Sequence, residues 1–213
     1  MARNKTLKLK EFKEFPNTFE NPTEIKGNWG KIFFKNNNPI VLELGCGKGE
    51  YTLGLAKMFP DKNFIGVDVK GARLWKGAKT AIENEINNVA FLRIYIDHIT
   101  DYFAKDEVSE IWLTFPDPQP KKGHIKKRLT NKKFIDLYSQ ILSKSGSLHL
   151  KTDSELMFEY TNEVIAENKI NCIRQTSDLY NSDLVDKILS VKTTYEQKFL
   201  EIGSTIKYIE FTL

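Results

Sequence analysis

Cysteine is scarce in this sequence, and long apolar runs are missing. The 213 residues contain two cysteines, Cys46 and Cys172, which lie far apart. They indicate neither a disulfide framework nor a zinc site, so we expect no metal. No run approaches the roughly 20 apolar residues of a membrane span, and the first residues lack the apolar core of a signal peptide. We therefore expect a cytoplasmic protein without membrane attachment.

Acidic residues are absent from the stretch that runs from Gln119 to Lys133. That stretch contains seven basic residues: Lys121, Lys122, Lys126, Lys127, Arg128, Lys132 and Lys133. Their charge of +7 exceeds the net +4 of the whole chain, so the positive charge is local. A second cluster comprises Arg3, Lys5, Lys8, Lys10 and Lys13. Such clusters suit a polyanion, because neutralised phosphates release counterions; a solvated surface is the competing interpretation.

Regular patterning is weak before Pro39 and clear after it. Residues 1–38 are polar and basic with several Pro and Gly breakers, which predicts an arm and a short lead-in helix near 29–34. The pattern then predicts strands at 40–44, 63–67, 89–94, 108–115 and 145–151, and helices at 51–59, 71–86, 131–142 and 155–168. Segments 170–175 and 205–212 predict a closing antiparallel pair. We expect one α/β domain over residues 39–213, with a doubly wound, mostly parallel sheet and helices on both faces.

A glycine-rich turn joins the first predicted strand to the first helix. The sequence there is Glu43-Leu44-Gly45-Cys46-Gly47-Lys48-Gly49-Glu50. Doubly wound sheets bind nucleotides at this position, and glycine lets the backbone approach a ligand closely. Asp68 ends the next strand, where an acid can accept hydrogen bonds from two ribose hydroxyls. A structural tight turn is the alternative interpretation.

The charge of this loop indicates which nucleotide it prefers. Glu43 and Glu50 flank the glycines and would repel a phosphate, and the Gly-x-x-x-x-Gly-Lys-Ser/Thr pattern is absent. The loop therefore favours S-adenosylmethionine, which carries an adenosine, an ammonium and a sulfonium but no phosphate. Asp97 follows the third strand, where an adenine amino group is expected; its alternative role is a helix N-cap.

A proline-rich turn precedes the basic run. In Phe115-Pro116-Asp117-Pro118-Gln119-Pro120 a single carboxylate stands between two prolines. Proline fixes its own φ and restricts the residue before it, so the backbone around Asp117 has few conformations to lose. This predicts a preorganised carboxylate beside a phosphate-binding surface. A simple turn residue is the alternative.

Taken together, these motifs resemble the bacterial tRNA (guanine-N7)-methyltransferase family. The resemblance rests on the glycine loop, Asp68, Phe115-Pro116-Asp117-Pro118-x-Pro120-Lys121-Lys122, Lys151-Thr152-Asp153 and Thr193-Thr194-Tyr195-Glu196. It implies a class I fold with a seven-stranded, Rossmann-like sheet, including one antiparallel strand. It also implies methylation at N7 of guanine 46 in the tRNA variable loop, with S-adenosylmethionine as donor. The chain departs from the family pattern at Gln119, Gly123 and Ile125, where tryptophan, arginine and histidine are usual.

The resemblance also implies roles for individual residues. Cofactor contacts carry over to Glu43, Asp68, Asp97 and Asp117, and the glycine loop adds Gly45, Gly47 and Gly49 as predicted cofactor-binding residues. Substrate contacts carry over to Lys121, Asp153, Thr193, Thr194, Tyr195 and Glu196. The tRNA backbone is assigned to Lys122, Lys126, Lys127 and Arg128.

Guanine N7 has a free lone pair, so its methylation needs no prior deprotonation. We therefore expect Asp117 to position cofactor and base rather than to act chiefly as a general base. A cation such as Lys121 suits guanine O6, and carboxylates such as Asp153 and Glu196 suit N1–H and the N2 amino group. The alternatives are an N-cap role for Asp153 and an ion pair with Lys198 for Glu196.

Two other functions remain open at this point. An exocyclic-amine RNA methyltransferase also uses an Asp-Pro turn, although the aromatic residue that usually follows is missing here. A non-catalytic RNA-binding protein with a Rossmann-like fold is the other alternative. We expect a monomer or a homodimer that binds tRNA.

Overall fold

The computed structural model describes residues 2–213, with side chains from Lys5 onward. The side chain of Arg3, part of the predicted basic cluster, lies outside the described residues. The strands are β1 Thr18–Glu20, β2 Ile40–Leu44, β3 Asn63–Val67, β4 Val89–Arg93, β5 Val108–Thr114, β6 Leu142–Thr152, β7 Asn171–Thr176 and β8 Lys207–Thr212. The α-helices are α1 Ala2–Glu14, α2 Glu50–Met58, α3 Gly71–Glu83, α4 Lys132–Tyr138, α5 Glu155–Glu167 and α6 Thr194–Glu201. Shorter helical turns cover Thr23–Ile25, Gly30–Phe34, Ile96–Asp101, Lys122–Lys127 and Leu179–Asn181.

The strands form one sheet in the order β1-β4-β3-β2-β5-β6-β8-β7. Neighbours from β1 to β6 pair in parallel, whereas β8 pairs antiparallel with both β6 and β7. The predicted mostly parallel sheet with one antiparallel strand is confirmed. It has eight strands rather than seven, because β1 adds to the free edge of β4. A strand of three residues is too short to show the alternation of apolar and polar residues from which strands are predicted.

Regular structure before residue 39 is more extensive than the sequence indicated. Helix α1 packs against α3, and Phe12 is fully buried there with Leu74 and Ala78. Trp29 is also fully buried, and its ring lies between those of Phe19 and Phe103. From position 2, the described part of the predicted arm therefore forms a helix that packs on the domain. Helix α1 has a narrow apolar stripe among many lysines, so its composition did not predict a packed helix.

Both faces of the sheet are covered, as predicted. Adjacent residues of one strand, Val41 and Leu42, belong to different apolar clusters, because successive side chains point to opposite faces. All five residues of β2 and of β3 are buried. Such continuous burial is typical of parallel strands between two helical layers.

His149 lies in the core on β6 and is held there as a neutral ring. It stacks on Trp112 with ring centroids 4.0 Å apart, and its two nitrogens are hydrogen-bonded to Ser147 and Tyr208, each at 2.8 Å. Burial lowers the pKa of His149 from 6.5 to about 3, with a smaller contribution from Arg174. These contacts give His149 a structural role in the core.

The lowered pKa of His149 predicts how stability depends on acid. Between pH 6.5 and about 3 the unfolded chain binds a proton that the folded chain does not, so stability falls as the pH falls. We expect the stability difference between wild type and His149→Gln to shrink by about 1.4 kcal/mol per pH unit from pH 6 to 4. Urea titrations at several pH values measure this. Parallel pH profiles for the two proteins would contradict it.

The carboxyl ends of the central strands meet at one edge of the sheet. Gly45 follows β2, Asp68 follows β3, Phe115 follows β5 and Asp153 follows β6. Strand order reverses direction between β2 and β5, and ligands of open α/β sheets bind at such a point. The fold therefore brings together four segments that are up to about a hundred residues apart in sequence.

Candidate active site

A cavity of about 750 Å³ opens at this edge of the sheet. It is lined by the glycine loop, by the proline-rich turn and by the segment that begins α6. The predicted site residues among its lining are Glu43, Gly45, Gly47, Asp68, Asp117, Lys127, Asp153, Thr193 and Tyr195. Lining residues that the sequence analysis did not assign include Lys70, Arg73, Leu129 and Phe199. Their sequence context gave no signal, because they are brought to the cavity by tertiary packing.

The glycine loop needs glycine for two different reasons. Gly47 has φ +59°, and a Cβ there would meet nothing within 4 Å, so its backbone borders open space. Gly49 has φ +68°, and a Cβ there would lie 2.4 Å from the ring of Phe91. Other residues rarely adopt this left-handed conformation. The loop backbone is thus open to the cavity at Gly47 and packs closely against Phe91 at Gly49. Gly49 itself does not line the cavity.

Glu43 lies at the floor of the cavity and is almost fully buried. Its carboxylate accepts hydrogen bonds from the Thr52 amide at 2.9 Å, from the Thr52 hydroxyl, and from the Thr114 hydroxyl at 2.5 Å. Burial raises its pKa to about 7, while these hydrogen bonds oppose that shift. Glu43, which was predicted to contact the cofactor, therefore also connects β2 to α2 and β5. The sequence did not indicate this second role.

Asp68 holds the glycine loop from the neighbouring strand. Its Oδ2 accepts a hydrogen bond from the Gly47 amide at 3.0 Å, and its Oδ1 accepts one from the Lys70 amide at 2.7 Å. Both oxygens can accept further bonds, and the residue lines the cavity. Its geometry is compatible with the predicted ribose contact, which stays a prediction.

Asp97 is placed differently from the prediction. It lies in the first turn of Ile96–Asp101, where its carboxylate pairs with Lys133 at the start of α4. It is not among the residues that line the cavity. The predicted contact with the adenine amino group therefore has no support in this structure, because the helical turn directs Asp97 toward α4. The alternative N-cap role is also wrong, since Tyr95 occupies the cap position.

The Asp117 turn is constrained more than its prolines alone require. Phe115 and Gln119 both have positive φ, +50° and +46°. Such left-handed conformations are uncommon for residues other than glycine and mark sites where the surroundings hold the backbone. The Gln119 amide donates a hydrogen bond to Asp117 Oδ1 at 3.0 Å. Asp117 is exposed and lines the cavity, so the predicted preorganised carboxylate is present.

Arg128 is not part of the exposed basic surface. Only 5% of it is exposed, and its guanidinium donates to the carbonyls of Pro118 at 3.1 Å and Gln119 at 3.3 Å. It also lies 4.5 Å from the centre of the Tyr160 ring. The prediction that Arg128 contacts the tRNA backbone is therefore wrong, because its donors are directed into the protein.

The other cations of the basic run do face solvent. Lys121, Lys122, Lys126 and Lys127 are exposed on or beside the helical turn Lys122–Lys127. None of them forms an ion pair with any residue that the structure describes. Lys127 lines the cavity, whereas Lys121 does not. The surface next to the cavity thus offers unpaired positive charge.

The segment that begins α6 forms one wall of the cavity. Thr193 caps the helix by accepting a hydrogen bond from the Glu196 amide at 3.1 Å. Thr194 donates its amide and its hydroxyl to the Glu50 carboxylate, at 2.6 and 2.9 Å. Thr193 and Tyr195 line the cavity, whereas Thr194 instead connects the wall to α2. Glu50 is thereby assigned a structural contact.

Glu196 is buried rather than directed into the cavity. Its Oε1 lies 2.7 Å from Lys151 Nζ and accepts a hydrogen bond from the Tyr180 hydroxyl at 2.5 Å. Both ionic side chains are fully buried. The predicted contact between Glu196 and guanine is therefore wrong, and so is the alternative pair with Lys198. A lysine in the apolar strand sequence Leu148-His149-Leu150-Lys151 was the available signal for a buried partner.

Asp153 keeps its predicted place. It follows β6 and lines the cavity, and Ser154 rather than Asp153 caps α5 by accepting a hydrogen bond from the Met157 amide. The backbone carbonyl of Asp153 accepts a hydrogen bond from Lys207 at 3.3 Å, and its carboxylate forms no ion pair with a described residue. Its role toward a substrate stays a prediction.

Within the part of the chain that the structure describes, no group of three or more His, Cys, Asp or Glu side chains is arranged to hold a metal ion. Among the same residues, no helix combines the length and apolar character needed to cross a membrane.

The chain was compared with known proteins. A family model described as "Putative methyltransferase" matches residues 37–209. A tRNA (guanine-N(7)-)-methyltransferase of Bacteroides fragilis is 53% identical and aligns with 100% of this chain and 87% of its own length. A protein of the same name from Christiangramia forsetii is 47% identical, covering 100% of this chain and 99% of its own.

Solved structures of lower identity share the fold. A 16S rRNA methyltransferase, KamB, has a TM-score of 0.65 at 12% identity and covers 86% of this chain and 91% of its own. A 30S ribosomal A1408 methyltransferase from an uncultured bacterium has a TM-score of 0.60 at 17% identity, covering 84% and 89%. These likenesses concern the fold alone. The near full-length relatives confirm the family inferred from the motifs: this chain belongs to the tRNA (guanine-N7)-methyltransferase family.

Proposed function

We propose that this protein transfers a methyl group from S-adenosylmethionine to N7 of guanine 46 in the variable loop of tRNA. The observation that carries the proposal is the constrained Asp117 turn, which lies between the cavity and a surface of unpaired lysines. One side of that turn suits a cationic methyl donor and the other suits RNA. The names of the close relatives support the same reaction.

The cavity suits S-adenosylmethionine, which supplies an electrophilic methyl group on a sulfonium. Asp68, the bare backbone of Gly45 and Gly47, and Asp117 would hold it. Carboxylates of Asp68, Asp117 and Asp153 face the same cavity, and a cationic ligand reduces their mutual repulsion. Glu43 would act indirectly, by holding the floor of the cavity in place, because its oxygens already accept hydrogen bonds from Thr52 and Thr114.

The role of Asp117 follows from the chemistry of N7. The nitrogen lone pair attacks without losing a proton, so the protein must orient the base rather than activate it. Orientation of two reacting groups is worth about 7–11 kcal/mol at the extreme. Asp117 has one oxygen fixed by the Gln119 amide, which leaves Oδ2 to hold a ligand group in a fixed direction. We assign it this positioning contact within the active site.

Substrate recognition falls to fewer residues than the sequence suggested. Asp153 suits the N1–H and N2 amino group of guanine, and Thr193 and Tyr195 stand beside it in the cavity lining. Lys121 stays a candidate for O6, and Lys122, Lys126 and Lys127 for the RNA phosphates. A base held in tertiary structure must be exposed before N7 is reached, and backbone contacts offset that cost.

Incubation with labelled S-adenosylmethionine and unmodified tRNA, followed by digestion to nucleosides, tests the proposal. We expect 7-methylguanosine, and tRNA with guanine 46 replaced should give none. Another methylated nucleoside would support an exocyclic-amine methyltransferase, and binding without any product would support a non-catalytic RNA-binding protein. We also propose a cytoplasmic location. The protein is proposed to be a monomer or a homodimer, and sedimentation measures which of the two forms in solution.

The exposed lysines give a second prediction. Lys126→Ala combined with Lys127→Ala should weaken tRNA binding and reduce the slope of log K against log salt by about 1–2, because two phosphate contacts are lost. Binding isotherms at four salt concentrations measure this. Lys57→Ala is the matched control, since Lys57 is exposed in the last turn of α2, away from the cavity edge. An unchanged slope in the double variant would favour a solvated surface.

A further inference from the structure

Arg128 stands in the most basic stretch of the chain, yet its guanidinium is withdrawn from solvent. Two of its nitrogens donate to consecutive carbonyls of the Asp117 turn, those of Pro118 and Gln119. We propose that Arg128 is a positioning residue for methyl transfer, which fixes the direction of the Asp117 carboxylate, and that it does not bind RNA phosphate. This inference rests on the proposed function of Asp117.

The link from Arg128 to Asp117 passes through one peptide group. Arg128 binds the carbonyl of Gln119, and the amide of the same residue donates to Asp117 Oδ1. Gln119 has φ +46°, a conformation that is uncommon for residues other than glycine. The two hydrogen bonds from Arg128 hold this part of the turn, and we infer that the hydrogen bond that orients Asp117 depends on them.

Arg128 is itself fixed by α5. Its guanidinium lies over the ring of Tyr160, whose hydroxyl accepts a hydrogen bond from Asn131 at 2.6 Å. Two residues after Arg128, the hydroxyls of Thr130 and Thr161 are hydrogen-bonded at 2.8 Å. The turn therefore takes its position from a helix of the domain and not from the exposed loop that follows it.

Lysine cannot replace this arrangement. The guanidinium is a planar fork that reaches two carbonyls while one face lies on an aromatic ring, whereas an ammonium is a single point charge on a flexible stem. Arg128→Lys keeps the charge and loses the fork. It thus separates positioning from phosphate binding, because a phosphate ligand tolerates this change far better.

The experiment compares Arg128→Lys with Lys126→Ala and with the Lys57→Ala control. We expect Arg128→Lys to lower kcat for tRNA methylation on the order of tenfold or more, with the salt slope of tRNA binding unchanged. Lys126→Ala should instead reduce that slope by about 1, and Lys57→Ala should change neither quantity. A wild-type kcat for Arg128→Lys would overturn the proposal, because a residue that only binds phosphate tolerates lysine.

Two further variants guard against a simple folding defect. Tyr160→Leu removes the ring under Arg128 but leaves all charges, and it should also lower kcat without changing the salt slope. Adding Arg128→Lys to Asp117→Asn should cost little beyond Asp117→Asn alone, since residues that act as one unit are not additive. Fully additive losses would show that Arg128 acts elsewhere. If wild type forms no 7-methylguanosine, the proposed function fails first; if it does and these variants behave as wild type, only this inference fails.

Discussion

Replacing Asp117 with alanine is expected to lower methyl transfer to unmodified tRNA by at least about a hundredfold. The carboxylate is exposed to the cavity but held by the Gln119 amide, so its removal frees the ligand group that it orients. The fold should persist, because Asp117 forms no ion pair with a described residue and lies on the surface. Single-turnover rates with saturating tRNA measure the chemical step.

The control for this variant is Asp61→Ala. Asp61 is an exposed acid just before β3, at the opposite edge of the sheet, and should leave the rate unchanged. Asp117→Asn retains the shape and a hydrogen-bond acceptor, so it should keep more activity than Asp117→Ala. Turnover of Asp117→Ala within a few-fold of wild type would remove the assigned role.

Replacing Lys151 with alanine is expected to destabilise the protein by about 3–5 kcal/mol. Lys151 is fully buried, and its ammonium binds Glu196 at 2.7 Å and the carbonyls of Leu189 and Val191 at 2.8 and 3.0 Å. Burial lowers its pKa, whereas Glu196 opposes that shift. Without Lys151, the Glu196 carboxylate would be a buried charge with no opposite charge beside it among the described residues, and only the Tyr180 hydroxyl would still donate to it. Urea unfolding measures the loss.

Two comparisons isolate the cost of the unpaired charge. Lys151→Met with Glu196→Gln removes both charges, and we expect it to be less destabilising than Lys151→Ala alone. Lys132→Ala breaks an exposed pair with Asp136 on α4 and should cost less than about 1 kcal/mol. Equal losses for Lys132→Ala and Lys151→Ala would contradict the assignment of a buried ion pair.

Local patterns predicted the parts of the site that local sequence forms. The strand, glycine loop and helix follow one another directly, and the prolines around Asp117 act on their own neighbours, so both were predicted correctly. Helix α1 and strand β1 were missed, because their apolar residues are few. Their positions depend on α3 and β4, which lie about 60–75 residues away.

Residues of the same charge were the hardest to assign to different roles from the sequence. Lys127 and Arg128 are adjacent cations in a basic run, yet Lys127 lines the cavity and Arg128 is buried against the ring of Tyr160. Asp153 and Glu196 are both acids in motifs of the family, yet only Asp153 lines the cavity. The deciding contacts come from α5 and from Lys151, which no local pattern specifies.

The antiparallel strand β8 has a consequence for the order in which the protein is built during translation. Phe211 of β8 pairs with Leu148 on one side and Cys172 on the other, so β7 has no place in the sheet until β8 has been synthesised. Lys207 also reaches back to the Asp153 carbonyl. A nascent chain can therefore assemble the nucleotide half of the cavity first, while the half that receives the base waits for the last strand.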